Sequence, residues 1–291
     1  MIEGIILKIV SNLYYIKTEK GIYECSVKGK FRKDEIVPVV GDYVKIEIIQ
    51  NEQNKGTISE ILNRKTYIKR PKIANITQLV LVVSTSMPKP DLLMLDKQLA
   101  FAEFLNIKPI IVLNKIDLKN EKEIIDIYTK IGYKIIKTNA KNNIGVNELT
   151  KELKNNVSAF SGNSGVGKST LINSILGEQI TAEGKISDKN KKGKNTTTAI
   201  CMYEIDENTY IADTPGFSTF DIYEIEYREL AKYFIEFKEH IAKCEFVGCT
   251  HIKEENCGVQ NAIKSGIIST ERYKRYIKIY SDLKEREEHK W

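Results

Sequence analysis

The chain has 291 residues, 42% hydrophobic and 29% charged, with 45 Lys and Arg against 39 Asp and Glu and a net charge of +6. That balance fits a soluble globular protein of two domains, or of one medium domain with appendages, and the longest apolar runs, such as ITQLVLVVS, are too short to span a bilayer. The mild basic surplus permits a nucleic-acid partner without demanding one, since surplus lysines also serve as a solvated face. The N-terminal MIEGIILKIV carries Glu3 and no small-residue cleavage site, so it does not read as a signal peptide. The cysteine count is odd, five, with three clustered late, which fits a reducing compartment and a metal site better than a disulfide framework.

Up to about Arg64 the chain reads as strands: GIILKIVSNLYYIKT, GIYECSVK, DYVKIEIIQ and KGTISEIL are β-branched, roughly alternating and bounded by turn residues. Short strands in so small a segment predict a closed barrel, for which an oligonucleotide-binding (OB) barrel is the candidate. The loop Lys28 to Asp42 sets Lys28, Lys30, Arg32 and Lys33 around Phe31. Basic residues flanking an aromatic suit phosphate contact with base stacking; a solvated hairpin loop with Phe31 packed on the barrel is the equal alternative.

Thr66 to Ile76 reads as a basic connector containing a proline. The rhythm then changes to βαβ. ITQLVLVVS is a doubly buried strand, DLLMLDKQLAFAEFLN a helix capped by Asp91, and PIIVLNK a strand. EKEIIDIYTKIG is a helix ending at Gly132, YKIIKTNA a strand, NELTKELKNN a helix, VSAFSG a strand and GKSTLINSILG a helix, followed by the strands AICMYEI and TYIADTPG. The alternation predicts a mostly parallel sheet covered on both faces. Glu183 to Thr198 is lysine-rich without hydrophobic period, and from Ile222 on the pattern is helical, interrupted by CEFVGCTHIKEENC.

GNSGVGKST matches the phosphate-loop pattern with Gly162, Asn163, Ser164, Gly165, Val166, Gly167, Lys168, Ser169 and Thr170, between a strand and a helix. Small residues let backbone N–H groups wrap the phosphates at a helix N-terminus, Lys168 reaches the β- and γ-phosphates, and the Ser169 hydroxyl suits Mg²⁺. NKID follows a buried strand: Asn114 holds neighbouring loops, Lys115 and Ile116 flank the base, and Asp117 accepts from N1–H and the exocyclic amine of guanine. Adenine has an acceptor at N1 and would leave that carboxylate unpaired. TNAK, Thr138 to Lys141, resembles a second base loop. DTPG supplies Asp213 for Mg²⁺ through water and the Gly216 N–H for the γ-phosphate, and NTTT supplies a switch threonine, one of Thr196, Thr197 and Thr198, to complete the metal shell. Phe217 stands where Ras-like enzymes place a water-orienting Gln, so unassisted hydrolysis is expected to be slow.

The base motif precedes the phosphate loop, the reverse of the ordinary GTPase order. A site assembled in space survives such circular permutation when old termini are joined and an exposed connection opened. The second switch then runs straight into the C-terminal helices, which suggests that loss of the γ-phosphate moves them. Cys244, Cys249, His251 and Cys257, spaced C-x4-C-x-H-x5-C, make a full tetrahedral shell for one structural Zn²⁺; thiols beside a chance histidine are the alternative. Cys25 and Cys201 read as core, and His240 and His289 have no evident partner.

With RPKIANITQLVLVVS, NKID, GNSGVGKSTL, TTT, DTPGF and the Cys/His spacing in this order, the chain resembles the ribosome small subunit-dependent GTPase A family over nearly its full length. The resemblance implies a multidomain protein: an OB-fold RNA-binding barrel at 1–65, a circularly permuted α/β P-loop GTPase domain at 66–221 and a helical zinc-binding domain at 222–291. It implies a cytoplasmic factor that hydrolyses GTP with Mg²⁺ slowly; the sequence gives no oligomeric state, and a monomer is the default. Hydrolysis would be stimulated by the small (30S) ribosomal subunit, late in its maturation and through ribosomal RNA contacts. The chain departs from the family at Asn195, where a His usually precedes the threonine run; Asn can position a water but cannot take its proton. A GTP-sensing RNA-binding module with negligible hydrolysis is the second reading, and intact Lys168, Ser169, Asp213 and Gly216 favour the enzyme.

Overall fold

A computed structural model describes residues 1–27, 37–118, 122–177, 200–214 and 222–289. The strands in chain order are β1 (Ile2–Val10), β2 (Leu13–Thr18), β3 (Gly21–Val27), β4 (Tyr43–Ile48), β5 (Lys55–Ile61), β6 (Tyr67–Lys69), β7 (Lys72–Ala74), β8 (Gln78–Ser84), β9 (Lys108–Asn114), β10 (Lys134–Thr138), β11 (Val157–Ser161), β12 (Cys201–Asp206) and β13 (Thr209–Asp213). The helices are α1 (Leu92–Phe104), α2 (Lys122–Ile131), α3 (Val146–Leu153), α4 (Lys168–Leu176), α5 (Lys238–Ile241), α6 (Gly258–Lys264) and α7 (Thr270–Glu288). They form two compact units, one of Met1–Val80, Thr138–Gly162 and Gly167–Ser218, the other of Leu81–Lys137, Asn163–Val166 and Thr219–Trp291.

In the first unit β1 pairs antiparallel with both β2 and β4, β2 with β3 and β5 with β4, while β3 and β5 run parallel. These pairings close a five-stranded barrel, the one expected from the alternating residues. Ile6, Ile16, Ile46 and Ile58 fill its interior at 0% exposure, each contributing about 1.5–3 kcal/mol over an exposed position. GIILKIVSNLYYIKT is a hairpin, turning at Ser11 and Asn12, whose φ of 48° and 67° match the twist of the flanking strands. Asp42, fully buried, accepts from Arg64 Nε at 2.7 Å and Nη2 at 2.8 Å, a bidentate pair fixing the barrel's exit. The segment read as a connector holds the hairpin β6–β7.

β12 is antiparallel to β13 and meets β1 at Lys8 and Cys201. β13 runs parallel to β11. Every residue of β8 and β11 is buried, as strands covered on both faces require.

In the second unit β9 lies between β8 and β10. The C-terminal segment, with short 3-10 turns at Tyr227–Tyr233 and Ile235–Phe237, packs α7 along α1. Its fastening is a buried ion network. Arg272, 0% exposed, donates to Asp96 of α1 and to Glu236; Arg275 also donates to Asp96, which accepts from Tyr128 Oη of α2 at 2.6 Å. Burial opposes the Arg272 charge, yet the two carboxylates hold it well above its ordinary value. Among the described residues no helix is long and apolar enough to cross a membrane.

Candidate functional site

In the second unit, β9 delivers Asn114 at its carboxyl end, the edge of an α/β sheet where ligands bind. Asn114 is 2% exposed, and its Nδ2 donates to the Val166 carbonyl at 2.9 Å. Lys115, at φ 63°, donates from Nζ to the Gly165 carbonyl at 2.7 Å and to the Met87 carbonyl. The base tetrapeptide is thereby bonded to the phosphate loop some fifty residues on. Thr85, just after β8, locks this strained turn: its N–H donates to Asn114 O at 3.0 Å and its hydroxyl to Lys115 O at 2.6 Å. Asp91 caps α1 through Met94 N at 2.9 Å, and its other oxygen accepts from Asn163 Nδ2 at 3.3 Å. Ile116 is half-buried and Asp117 exposed, so the carboxylate is open to a base.

In the first unit, β11 leads into Gly162, and the loop leaves through Gly167 at φ 94°, which caps α4. Gly165 at φ 79° and Gly167 hold the left-handed backbone that turns a loop around an anion, a conformation that Cβ would strain. Lys168 opens α4; burial pulls its ammonium below the ordinary value, opposed by Asp213. A phosphate beside Lys168 would favour the charged ammonium and oppose that lowering. Asp213, half-buried at the end of β13, pairs in register with Phe160, two residues before Gly162. The Thr214 hydroxyl donates to Phe160 O at 3.1 Å and holds the start of DTPG there. Asn139 of TNAK accepts from Asn142 N at 3.2 Å, while Ala140 O takes the Ser174 hydroxyl of α4 at 3.0 Å. Ser164, Ser169 and Thr170 are exposed. Asn195, Thr197, Gly216, Phe217 and the basic loop residues Lys28, Lys30, Phe31, Arg32 and Lys33 lie outside the described residues.

Thr85 and the Met87 carbonyl were not singled out from sequence, and Asp91 was read only as a helix cap. The Ser-Thr-Ser run closing β8 was their one visible signal, because a polar cluster at a strand's carboxyl end marks a loop.

Cys244, Cys249, His251 Nδ1 and Cys257 offer ligand atoms that all lie within 4.8 Å of one another. A tetrahedral Zn²⁺ with sulfur at about 2.3 Å needs ligand separations of about 3.8 Å. Cys244 Sγ lies 3.5 Å from His251 Nδ1 and 3.9 Å from Cys257 Sγ, so the donor set fits zinc by number, chemistry and spacing. Burial pulls His251 down toward the neutral, ligating imidazole. The surrounding turn is fixed from outside. Tyr273 Oη donates to His251 O at 2.6 Å and Tyr276 Oη to Thr250 O at 2.9 Å. Glu254 accepts from Thr250 N at 2.7 Å and Ile252 N at 3.0 Å; burial works against its charge, but these bonds hold it at about 2. Cys25 is buried in β3 and Cys201 partly buried in β12, and neither is in a disulfide.

The family model described as RsgA GTPase matches residues 61–223, and that of the RsgA N-terminal domain matches residues 3–58. The chain belongs to the RsgA GTPase family. The small ribosomal subunit biogenesis GTPase RsgA of Ruminiclostridium cellulolyticum is 41% identical, over 97% of this chain and 94% of its own. The RsgA of Alkaliphilus metalliredigens is 39% identical over 98% of both. The crystal structure of YjeQ from Thermotoga maritima superposes with a TM-score of 0.83 at 35% identity, covering 97% of this chain and 98% of the other. YloQ, described as a circularly permuted GTPase, gives 0.80 at 30% identity, covering 98% and 96%. The permuted order is thus the RsgA arrangement, and the chain is a GTPase.

Proposed function

We propose that this GTPase binds Mg·GTP and hydrolyses it slowly, that the small (30S) ribosomal subunit stimulates the reaction, and that it assists late maturation of that subunit through ribosomal RNA. The observation carrying the reading is the bonding of Asn114 and Lys115 to the carbonyls of Val166 and Gly165. It supports a guanine reader and a phosphate loop that share one framework although their order in the chain is reversed.

Asp117 selects guanine, Lys168 and the α4 N-terminus neutralise the phosphates, and Ser169 and Asp213 would hold Mg²⁺. Thr197 and Gly216 sense the γ-phosphate, and Asn195 orients the attacking water. When bound, Mg²⁺ supplies charge stabilisation to the phosphoryl group. Cys244, Cys249, His251 and Cys257 would hold one structural Zn²⁺. The segments act as an RNA-binding barrel at 1–65, a GTPase domain at 66–221 and a zinc-binding domain at 222–291, in the bacterial cytoplasm. The ribosomal part of this reading is supported by relatives named for small ribosomal subunit biogenesis.

Single-turnover GTP hydrolysis, with and without purified small subunits, tests it. Stimulation by subunits is expected. Nucleotide binding with no stimulated turnover would overturn the enzyme reading and leave a GTP-sensing RNA-binding module.

A further inference from the structure

The unit that carries the base tetrapeptide also contains a cavity of about 470 Å³, opening between α2, the turn Ile235–Phe237 and the loop from Gly266 to Ser269. Its walls are aliphatic, from Ile127 and Ile131 of α2, Ile235 and Ile268, with Ile267 standing 53% exposed at the mouth. Two exposed carboxylates line it, Asp126 and Glu239, and neither has an ion pair among the described residues. Glu236 is also there but is committed to Arg272, and the ammonium of Lys130 is turned onto the Gly266 carbonyl at 3.0 Å.

The cavity also holds a polar group that the fold leaves unused. His240 is only 8% exposed, and its imidazole makes no hydrogen bond with the described residues. Its nitrogens are not among the enclosed polar atoms that lack a partner, so they keep contact with solvent, and the residue lines the cavity. A buried imidazole normally finds a protein partner, because leaving one unmade costs free energy. Here the ring has hydrogen-bonding capacity that the described residues do not use and that a ligand or water can take.

Aliphatic walls leading to free carboxylates match a long cationic side chain, whose methylenes bury while its head stays charged. With Glu236 paired to Arg272, the two unpaired carboxylates outnumber the one lining ammonium, Lys130, so in a protein of net charge +6 this face favours a cation over a phosphate backbone. We propose that the cavity docks a basic segment of a partner protein, with an Arg or Lys stem laid on Ile127 and Ile131, its charged head at Asp126 and Glu239, and a backbone group of the segment on His240. The partner is therefore protein rather than nucleic acid at this face.

The test uses the full chain and a fluorescent peptide rich in Arg, Lys and Ile, titrated by anisotropy at about 0.15 M salt, where exposed charges are screened beyond about 8 Å. Saturable binding is expected. The pair Asp126→Lys and Glu239→Lys, and separately Ile267→Ser, should each weaken it about tenfold or more while GTP turnover is unchanged. These sites are exposed, so the variants fold. Equal binding to a peptide with Gly in place of Ile would reduce the face to a charge patch and overturn the proposal. So would unchanged affinity in both variants. A single-stranded RNA bound by the wild type and released by Ile267→Ser would assign the face to nucleic acid instead.

Discussion

Asn114 Nδ2 donates to the carbonyl of Val166 at 2.9 Å, with Asn114 almost wholly buried. One side chain of the base tetrapeptide thus sets the backbone of the phosphate loop. Asn114→Ala leaves the Val166 carbonyl without its donor, at a cost of about 1–3 kcal/mol. Because that carbonyl belongs to the loop that holds phosphate, the loss should appear in affinity. A fluorescent GDP analogue should bind about ten- to a hundredfold more weakly, with guanine preference over adenine intact. Unchanged affinity would mean that the loop keeps its shape without Asn114.

Asp117 governs base identity by a separate route. Asp117→Asn replaces an acceptor by an amide that can donate, which opposes the N1–H and amine of guanine and suits a carbonyl at the same carbon. Xanthosine diphosphate should displace GDP as the preferred ligand in competition titrations. A variant that still prefers GDP would remove Asp117 from the base contact.

The sequence showed these loops well and the C-terminal architecture poorly, for a physical reason. Phosphate loop, NKID and DTPG are short-range patterns, because each must present several groups to one ligand. The barrel strands were legible from alternation. The Ser11–Asn12 turn and the β6–β7 hairpin were not resolved from it, since two to three residues carry little periodicity. ERYKRYIKIYSDLKEREE reads only as helical, with nothing to say what it contacts, yet Arg272 within it is fully buried. Its partner Asp96 stands 176 positions earlier, and no local pattern announces a charge that is neutralised so far away.

That network makes a stability prediction. Asp96→Asn strips the counter-charge from Arg272 and Arg275, and breaking a buried pair on one side costs about 3–5 kcal/mol. Lys278→Ala removes an exposed i,i+4 pair with Asp282, worth about 0.5 kcal/mol or less. Urea unfolding followed by circular dichroism should separate the two. Equal midpoints would mean that the buried network contributes nothing.

Zinc binding should carry a definite pH dependence. With the metal removed, burial pushes the Cys249 thiol up to about 12, so it is protonated at neutral pH. Thiolate ligation must release that proton, and affinity should therefore rise with pH and fall as pH drops. Calorimetry in buffers of different ionisation enthalpy should detect proton release, and Cys249→Ser should lower zinc content below one per chain. Binding without released protons would contradict thiolate ligation.

Asn195→His adds a group able to accept the water's proton. The subunit-stimulated rate should rise severalfold with GDP affinity unchanged. A rate that is equal or lower would take Asn195 out of the water-positioning role.

The central claim is that loops out of their usual order form one guanine-nucleotide site. Calorimetric titration of the wild-type chain with GDP and with ADP tests it most directly. GDP should bind at one site per chain, with ADP at least about a hundredfold weaker. Equal affinity for both, or a preference for ADP, would contradict it.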